Sequence, residues 1–151
     1  MTEPQNQFPF RAEQIGSLVR PEALLAARNA FNDGRLDAEG LGRAEDAAII
    51  GAIKRQEEIG LGAVSDGEFR RSVYSESFTA KALSGVEIQL TEDTGWSASN
   101  DLGHRMARRV PQISGPVRWK GSPNVPSFEF LKSHAAGTGK GTLPGPPFIH
   151  Y

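Results

Sequence analysis

Residues 37–68, DAEGLGRAEDAAIIGAIKRQEEIGLGAVSDGE, decide how this chain folds. Leu41, Ala44, Ala48, Ile49, Ala52, Ile53 and Ile59 recur at helical spacing and trace one apolar face. Arg43, Asp46, Lys54, Arg55, Glu57 and Glu58 fall on the opposite face. Asp37 has the side chain of an N-cap, an acceptor for the first unpaired backbone N–H groups. Gly60 stands where a helix closes through the left-handed region. Gly40, Gly42 and Gly51 each weaken the helix by about 1 kcal/mol relative to Ala. The segment 61–65 that follows is a brief apolar run, read as a buried strand. It ends at Asp66, Gly67 and Glu68. Helix, tight turn, buried strand and then polar residues at the strand's C-terminal end make one α/β unit.

Working outward, residues 1–10 read as a polar tail. The segment 11–19 reads as a strand running into a loop at Gly16 and Ser17, with Ile15, Leu18 and Val19 as its apolar members. Pro21 suits the first position of a helix, where its missing N–H would have had no partner. Leu24, Leu25, Ala27, Arg28 and Phe31 continue that helix until the turn chemistry of Asp33 and Gly34. Downstream, a third helix is expected over 70–82, with Phe69, Val73, Phe78 and Leu83 as apolar contacts. Val86, Ile88 and Leu90 alternate with Glu87 and Gln89, which predicts a strand exposed on one face. The segment 110–117 is extended again, and Pro111 and Pro116 confine it to an edge. These two strands together suggest a hairpin excursion. Val125 and Pro126 open a short helix carrying Phe128, Phe130 and Leu131, and 141–151 reads as a final strand with Phe148, Ile149 and Tyr151. A parallel strand buried on both faces needs a following helix. The expectation is therefore a truncated portion of a longer barrel or sheet, occupying 11–151.

Composition limits the function classes. The 151 residues carry 17 basic and 18 acidic side chains, a net charge of −1. That balance offers no electrostatic footprint for nucleic acid and no polybasic patch for a membrane. There is no cysteine, so no disulfide, thiolate metal site or cysteine nucleophile can form within these residues. No apolar run approaches the roughly 20 residues that span a bilayer. No basic region followed by an apolar stretch opens the chain, so the expected location is the cytoplasm. The 17 Gly and 10 Pro exceed average usage, yet 38% hydrophobic residues suffice for a core.

Few side chains are arranged for chemistry. Asp66 and Glu68 lie two apart at a strand's C-terminal end, the rim where parallel sheets place their sites. The same pair can equally be a turn in which Asp66 holds the Gly67 loop. Gly137, Thr138, Gly139, Lys140, Gly141 and Thr142 approach a phosphate-binding loop but fail its template: His134 stands at the first glycine position and Gly141 replaces the Ser/Thr. This segment reads instead as a flexible lead-in to the last strand. His104, His134 and His150 are scattered and match no ligand spacing. Arg105, Arg108 and Arg109 cluster near the expected hairpin, either as a solvated loop or as a grip for an anion.

A longer pattern is more specific. RAEQIGSLVRP at 11–21, EDAAI at 45–49, Gln56 with EIGL at 58–61, SDGEFRR at 65–71, GVE at 85–87 and TLPGPP at 142–147 occur in this order. Together they resemble the cobalamin-independent methionine synthase family, in particular its short, single-barrel bacterial members. The resemblance covers most of 11–151. It implies the N-terminal portion of a (β/α)8 barrel that transfers a methyl group from a folate to the sulfur of homocysteine. It implies that Ile15, Gly16, Ser17 and Glu68 bind the amino-acid end of homocysteine. It makes Arg105, Arg108 and Arg109 candidate folate contacts, and Asp66, singled out by its spacing, joins them as a candidate substrate-side or folate contact. It also implies a zinc ion held by His, two Cys and Glu, which favours the thiolate form of the substrate. Those ligands lie in the second half of such a barrel, and this chain has no cysteine. The resemblance therefore implies half a substrate site, with catalysis requiring the other half and the isolated chain inactive. A related barrel with another thiol acceptor or methyl donor fits the same residues, as does a non-catalytic remnant that associates through its exposed strand edges.

Overall fold

A computed structural model of the chain describes residues 12–71, 81–91 and 108–145. It divides into two compact units, Met1–Phe69 with Phe128–Thr142, and Arg70–Ser127 with Leu143–Tyr151. The architecture is α/β.

The first unit contains two helices, α1 (Glu22–Asn32) and α2 (Ala38–Glu58). α1 starts one residue later than expected. Pro21 is its N-cap, extended at ψ 147, and its carbonyl accepts the N–H groups of Leu24 and Leu25 at 3.0 and 3.1 Å. Only Leu24 of α1 is buried, and Leu25 and Phe31 are exposed. α2 is capped as its sequence predicts. The Asp37 carboxylate accepts the Gly40 N–H at 2.7 Å. At the other end Gly60 has φ +80, its N–H bonds Glu57, and the Leu61 N–H reaches back to Gln56. This paired closure satisfies two carbonyls that the helix would otherwise leave open. Ile59, expected on the apolar face, is the C-cap residue and is exposed.

β1 (Ala63–Val64) lies parallel to a second two-residue strand, Thr138–Gly139, with Ala63 opposite Thr138 and Val64 opposite Gly139. The Lys140 N–H continues this ladder to the Val64 carbonyl at 2.7 Å. Three expectations change here. The strand over 61–65 is shorter than its apolar run. The segment read as a flexible lead-in supplies a strand. Residues 141–145 form none, and 146–151 lie outside the described residues. The expected strand at 11–19 is also absent among the described residues from 12 onward. Leu18 donates to the Gly67 carbonyl at 3.1 Å, but the Gly16 carbonyl accepts from the Ser65 hydroxyl rather than from a backbone N–H. A ladder needs regular backbone partners, and this segment has only isolated ones.

Leu24, Ile49, Ile53, Val64, Phe69 and Leu131 form the buried core, with Leu18, Ala48, Ala52 and Phe130 packed against it. Gln56 is buried beside them. Its amide donates to the carbonyls of Ser65 and Ala52 at 2.9 Å and accepts the Ser65 N–H at 3.0 Å. The side chain thus meets Ser65 as a neighbouring strand would.

The second unit is built on an antiparallel hairpin. β2 (Leu83–Thr91) pairs with β3 (Arg108–Trp119), with a register shift between Ser84 and Val86. The hairpin follows the predicted alternation, except that Leu90 is exposed. The helix expected over 70–82 falls mainly outside the described residues; Arg70 lies in a turn, whereas Lys81 and Ala82 are helical. A further helix, α3 (Asn124–His134), begins close to the predicted Val125 and Pro126, and from Phe128 onward it belongs to the first unit. The strand Thr138–Gly139 that follows is β4. No helix among the described residues is long and apolar enough to cross a membrane.

Candidate functional site

The turn after β1 is a compact set of backbone anchors. The Asp66 carboxylate accepts the Glu68 N–H at 2.9 Å. The Ser65 hydroxyl accepts the Gly67 N–H at 3.1 Å, and the Asp66 carbonyl accepts the Phe69 N–H at 3.3 Å. Arg20 donates to the Glu68 carbonyl at 3.4 Å. These bonds hold Glu68 at φ +58, a left-handed conformation that costs a residue with a Cβ about 1 kcal/mol or more. Asp66 and Glu68 are both buried, and Asp66 holds the turn through its carboxylate, as the second reading of this pair expects. The two carboxylates do different things. Asp66 bonds the backbone of the turn, whereas the Glu68 carboxylate reaches across to Thr142.

Glu68 Oε1 accepts the Thr142 hydroxyl at 2.6 Å. Gly16 closes over the same carboxylate. A Cβ added at Gly16 would lie 2.9 Å from Glu68 Oε1 and 2.5 Å from the Thr142 methyl carbon, so only a glycine fits this approach. Gly16 is buried, whereas its neighbours Ile15 and Ser17 are exposed. Lys140 secures the segment just before them, donating to the Glu13 carboxylate at 2.5 Å and the Gln14 carbonyl at 2.7 Å. The structure therefore brings Gly16 and Glu68 together, with Ile15 and Ser17 flanking Gly16. A buried carboxylate close to a loop that carries an exposed serine has the chemistry to suit the ammonium and carboxylate of an amino acid.

The remaining candidates are placed as follows. Arg108 and Arg109 lie at the start of β3, opposite Thr91 and Leu90 in the second unit. Arg105, His104 and His150 lie outside the described residues. His134 ends α3, exposed, with Nδ1 2.9 Å from the Phe130 carbonyl. No group of three His, Cys, Asp or Glu among the described residues is arranged to hold a metal ion. With no cysteine in the chain, these residues do not fit the two-thiolate zinc site that the resemblance implies.

Three participants escape a reading by spacing. Thr142 sits in a motif that marks the resemblance but has no chemical signature of its own. Gln56 and Ser65 look like polar residues bordering apolar runs. Elsewhere in the first unit lies a groove of about 710 Å³, with Leu18, Val19, Ala48, Ile59 and Leu61 among its lining.

No protein-family model matches the chain. The Bacillus subtilis protein YxjG, whose name assigns it no function, is 35% identical over 95% of this chain. The 5-methyltetrahydropteroyltriglutamate–homocysteine methyltransferase of a Synechococcus strain is 33% identical over 91% of the chain. A solved Listeria monocytogenes structure assigned as a vitamin-B12-independent methionine synthase superposes on 95% of the chain with a TM-score of 0.71 and 30% identity. The chain spans only 37% of YxjG, 17% of the Synechococcus enzyme and 38% of the Listeria chain.

Proposed function

We infer that this chain, similar over nearly its whole length to part of the cobalamin-independent methionine synthases, supplies one half of an amino-acid-binding site in a methyltransferase of that kind. In this reading it forms the N-terminal portion of a (β/α)8 barrel, and the parallel pair β1–β4 is a piece of that barrel's wall. The substrate is a homocysteine-like thiol, and a methyl-folate donates the methyl group. Glu68 receives the substrate ammonium. The Ser17 hydroxyl and the backbone around Ile15 and Gly16 take its carboxylate. Asp66 keeps the turn in shape. Arg105, Arg108 and Arg109 are candidates for the donor's acidic groups.

The observation that supports this reading is the room between Gly16 and the Glu68 carboxylate, so small that a Cβ on Gly16 would lie 2.9 Å from Oε1. Ser17, which follows Gly16 and is exposed, supplies the hydroxyl in this reading. Zinc would supply thiolate activation in the complete enzyme. The present residues lack its donors, so their own contribution is to bind and orient the amino-acid end. Calorimetric titration of the chain with L-homocysteine tests this. Binding is expected for the wild type and is lost in Glu68→Ala; a variant that binds as well as the wild type rejects the assignment. The isolated chain is expected to show no methyl transfer even with zinc added, and measurable turnover would contradict the half-site reading.

A second reading keeps the fold and changes the acceptor. YxjG overlaps this chain more than the Synechococcus methyltransferase does, and its name assigns no substrate. Titration with thiols that lack the amino-acid end distinguishes the two, because Glu68 and Ser17 contribute only when an ammonium and a carboxylate are present.

A further inference from the structure

We propose that Thr142 is a positioning residue that sets the orientation of the Glu68 carboxylate; its role in substrate binding rests on the function proposed above. The donor–acceptor distance of 2.6 Å is that of a charge-assisted O–H···O⁻ bond. Both ends of this bond lie a few residues beyond the same parallel pair. Glu68 leaves the turn that follows β1. Thr142 lies two residues beyond Lys140, whose N–H extends the β1–β4 ladder to Val64. Thr142 therefore follows the end of the paired segment by only two residues.

The other branch of the same side chain strengthens the argument. The Thr142 methyl carbon is 2.5 Å from where a Cβ on Gly16 would stand, so methyl and glycine share one space. A β-branched side chain has few χ1 choices. With its methyl seated over Gly16, the hydroxyl is held toward Glu68 Oε1. Lys140 fixes the same stretch from the other side through Gln14. The segment that superficially resembles a phosphate loop thus has a different use. Lys140 secures the loop leading to Gly16, and Thr142 orients the anion beneath it. A glutamate has several rotatable bonds, and restricting them before binding removes an ordering cost that would otherwise weaken affinity.

Two substitutions separate the hydroxyl from the methyl. Thr142→Val keeps the shape and removes the donor, whereas Thr142→Ser keeps the donor. The first readout needs no ligand: the 13Cδ resonance of Glu68 in the labelled chain, identified by its disappearance in Glu68→Gln. It is expected to move in Thr142→Val and to stay near the wild-type position in Thr142→Ser. The second is calorimetry with L-homocysteine. Affinity is expected to fall about tenfold in Thr142→Val, equivalent to about 1.4 kcal/mol, and to be recovered in Thr142→Ser, with both variants melting cooperatively. An unchanged Glu68 resonance in Thr142→Val overturns the proposal, as does equal affinity in both variants. If the wild type binds no homocysteine, the proposed function fails, and the carboxylate resonance still decides whether Thr142 orients Glu68. If Thr142→Val does not fold, Thr142→Ser and Thr142→Ala carry the same comparison.

Discussion

Gly16 shows how much one missing atom can decide. A Cβ at this position would stand 2.9 Å from a buried carboxylate oxygen and 2.5 Å from a threonine methyl, so Ala there would push into both. Overpacking of this kind costs about 1–3 kcal/mol. Gly16→Ala is therefore expected to lower the urea midpoint and to abolish homocysteine binding together. A second residue-scale prediction concerns Gln14. Both polar atoms of its side chain are enclosed without a hydrogen-bond partner among the described residues. Buried amides without partners are destabilising, so Gln14→Leu is expected to raise stability by about 1 kcal/mol in chemical unfolding. At this scale the sequence was partly legible. Asp66 and Glu68 stood out through spacing, and Gly16, Ser17 and Glu68 through the resemblance. Thr142 did not, because its partner is distant in the chain.

At the scale of elements, legibility follows the range of the forces involved. α2 is readable because its apolar period, its Asp37 cap and its Gly60 closure are all local; the structure keeps the cap and the closure, and buries Ile49 and Ile53 of the apolar face while Ile59 is exposed. The β2–β3 hairpin is readable for the same reason, since alternation is a property of neighbouring residues. The segments 11–19 and 141–151 looked equally strand-like, yet their described parts form no strand. Strand identity depends on a partner with free N–H and C=O groups, which apolar residues alone cannot supply. Gln56 makes the point from the other side. A side chain on α2 takes the place of a strand next to Ser65. Gln56→Leu leaves both Ser65 backbone groups without these bonds, and a loss of about 2–4 kcal/mol is expected from urea unfolding. Asp37→Ala, which removes one cap bond, is expected to cost about 1 kcal/mol.

For the whole molecule, the apolar groove is the feature with measurable consequences. Exposed apolar concavities of this size bind hydrophobic dyes. The native chain is expected to enhance the fluorescence of anilinonaphthalene sulfonate. Ile59→Lys, at an exposed position lining the groove, should reduce that signal while leaving the melting temperature nearly unchanged. An unaltered signal would place the dye elsewhere.

The sequence by itself determined the α/β class, the extent and capping of α2, the hairpin, and the likeness to methionine synthases, because periodicity, caps and motifs are written in adjacent residues. Only the tertiary structure decided which carboxylate bonds the turn's backbone and which bonds Thr142. It also decided that a glycine-rich stretch near the end of the chain would pair with β1 and bring Thr142 to Glu68 across a separation of 74 residues. The physical reason is that register between distant strands depends on which backbone groups find each other when the core closes, and no local pattern records that choice.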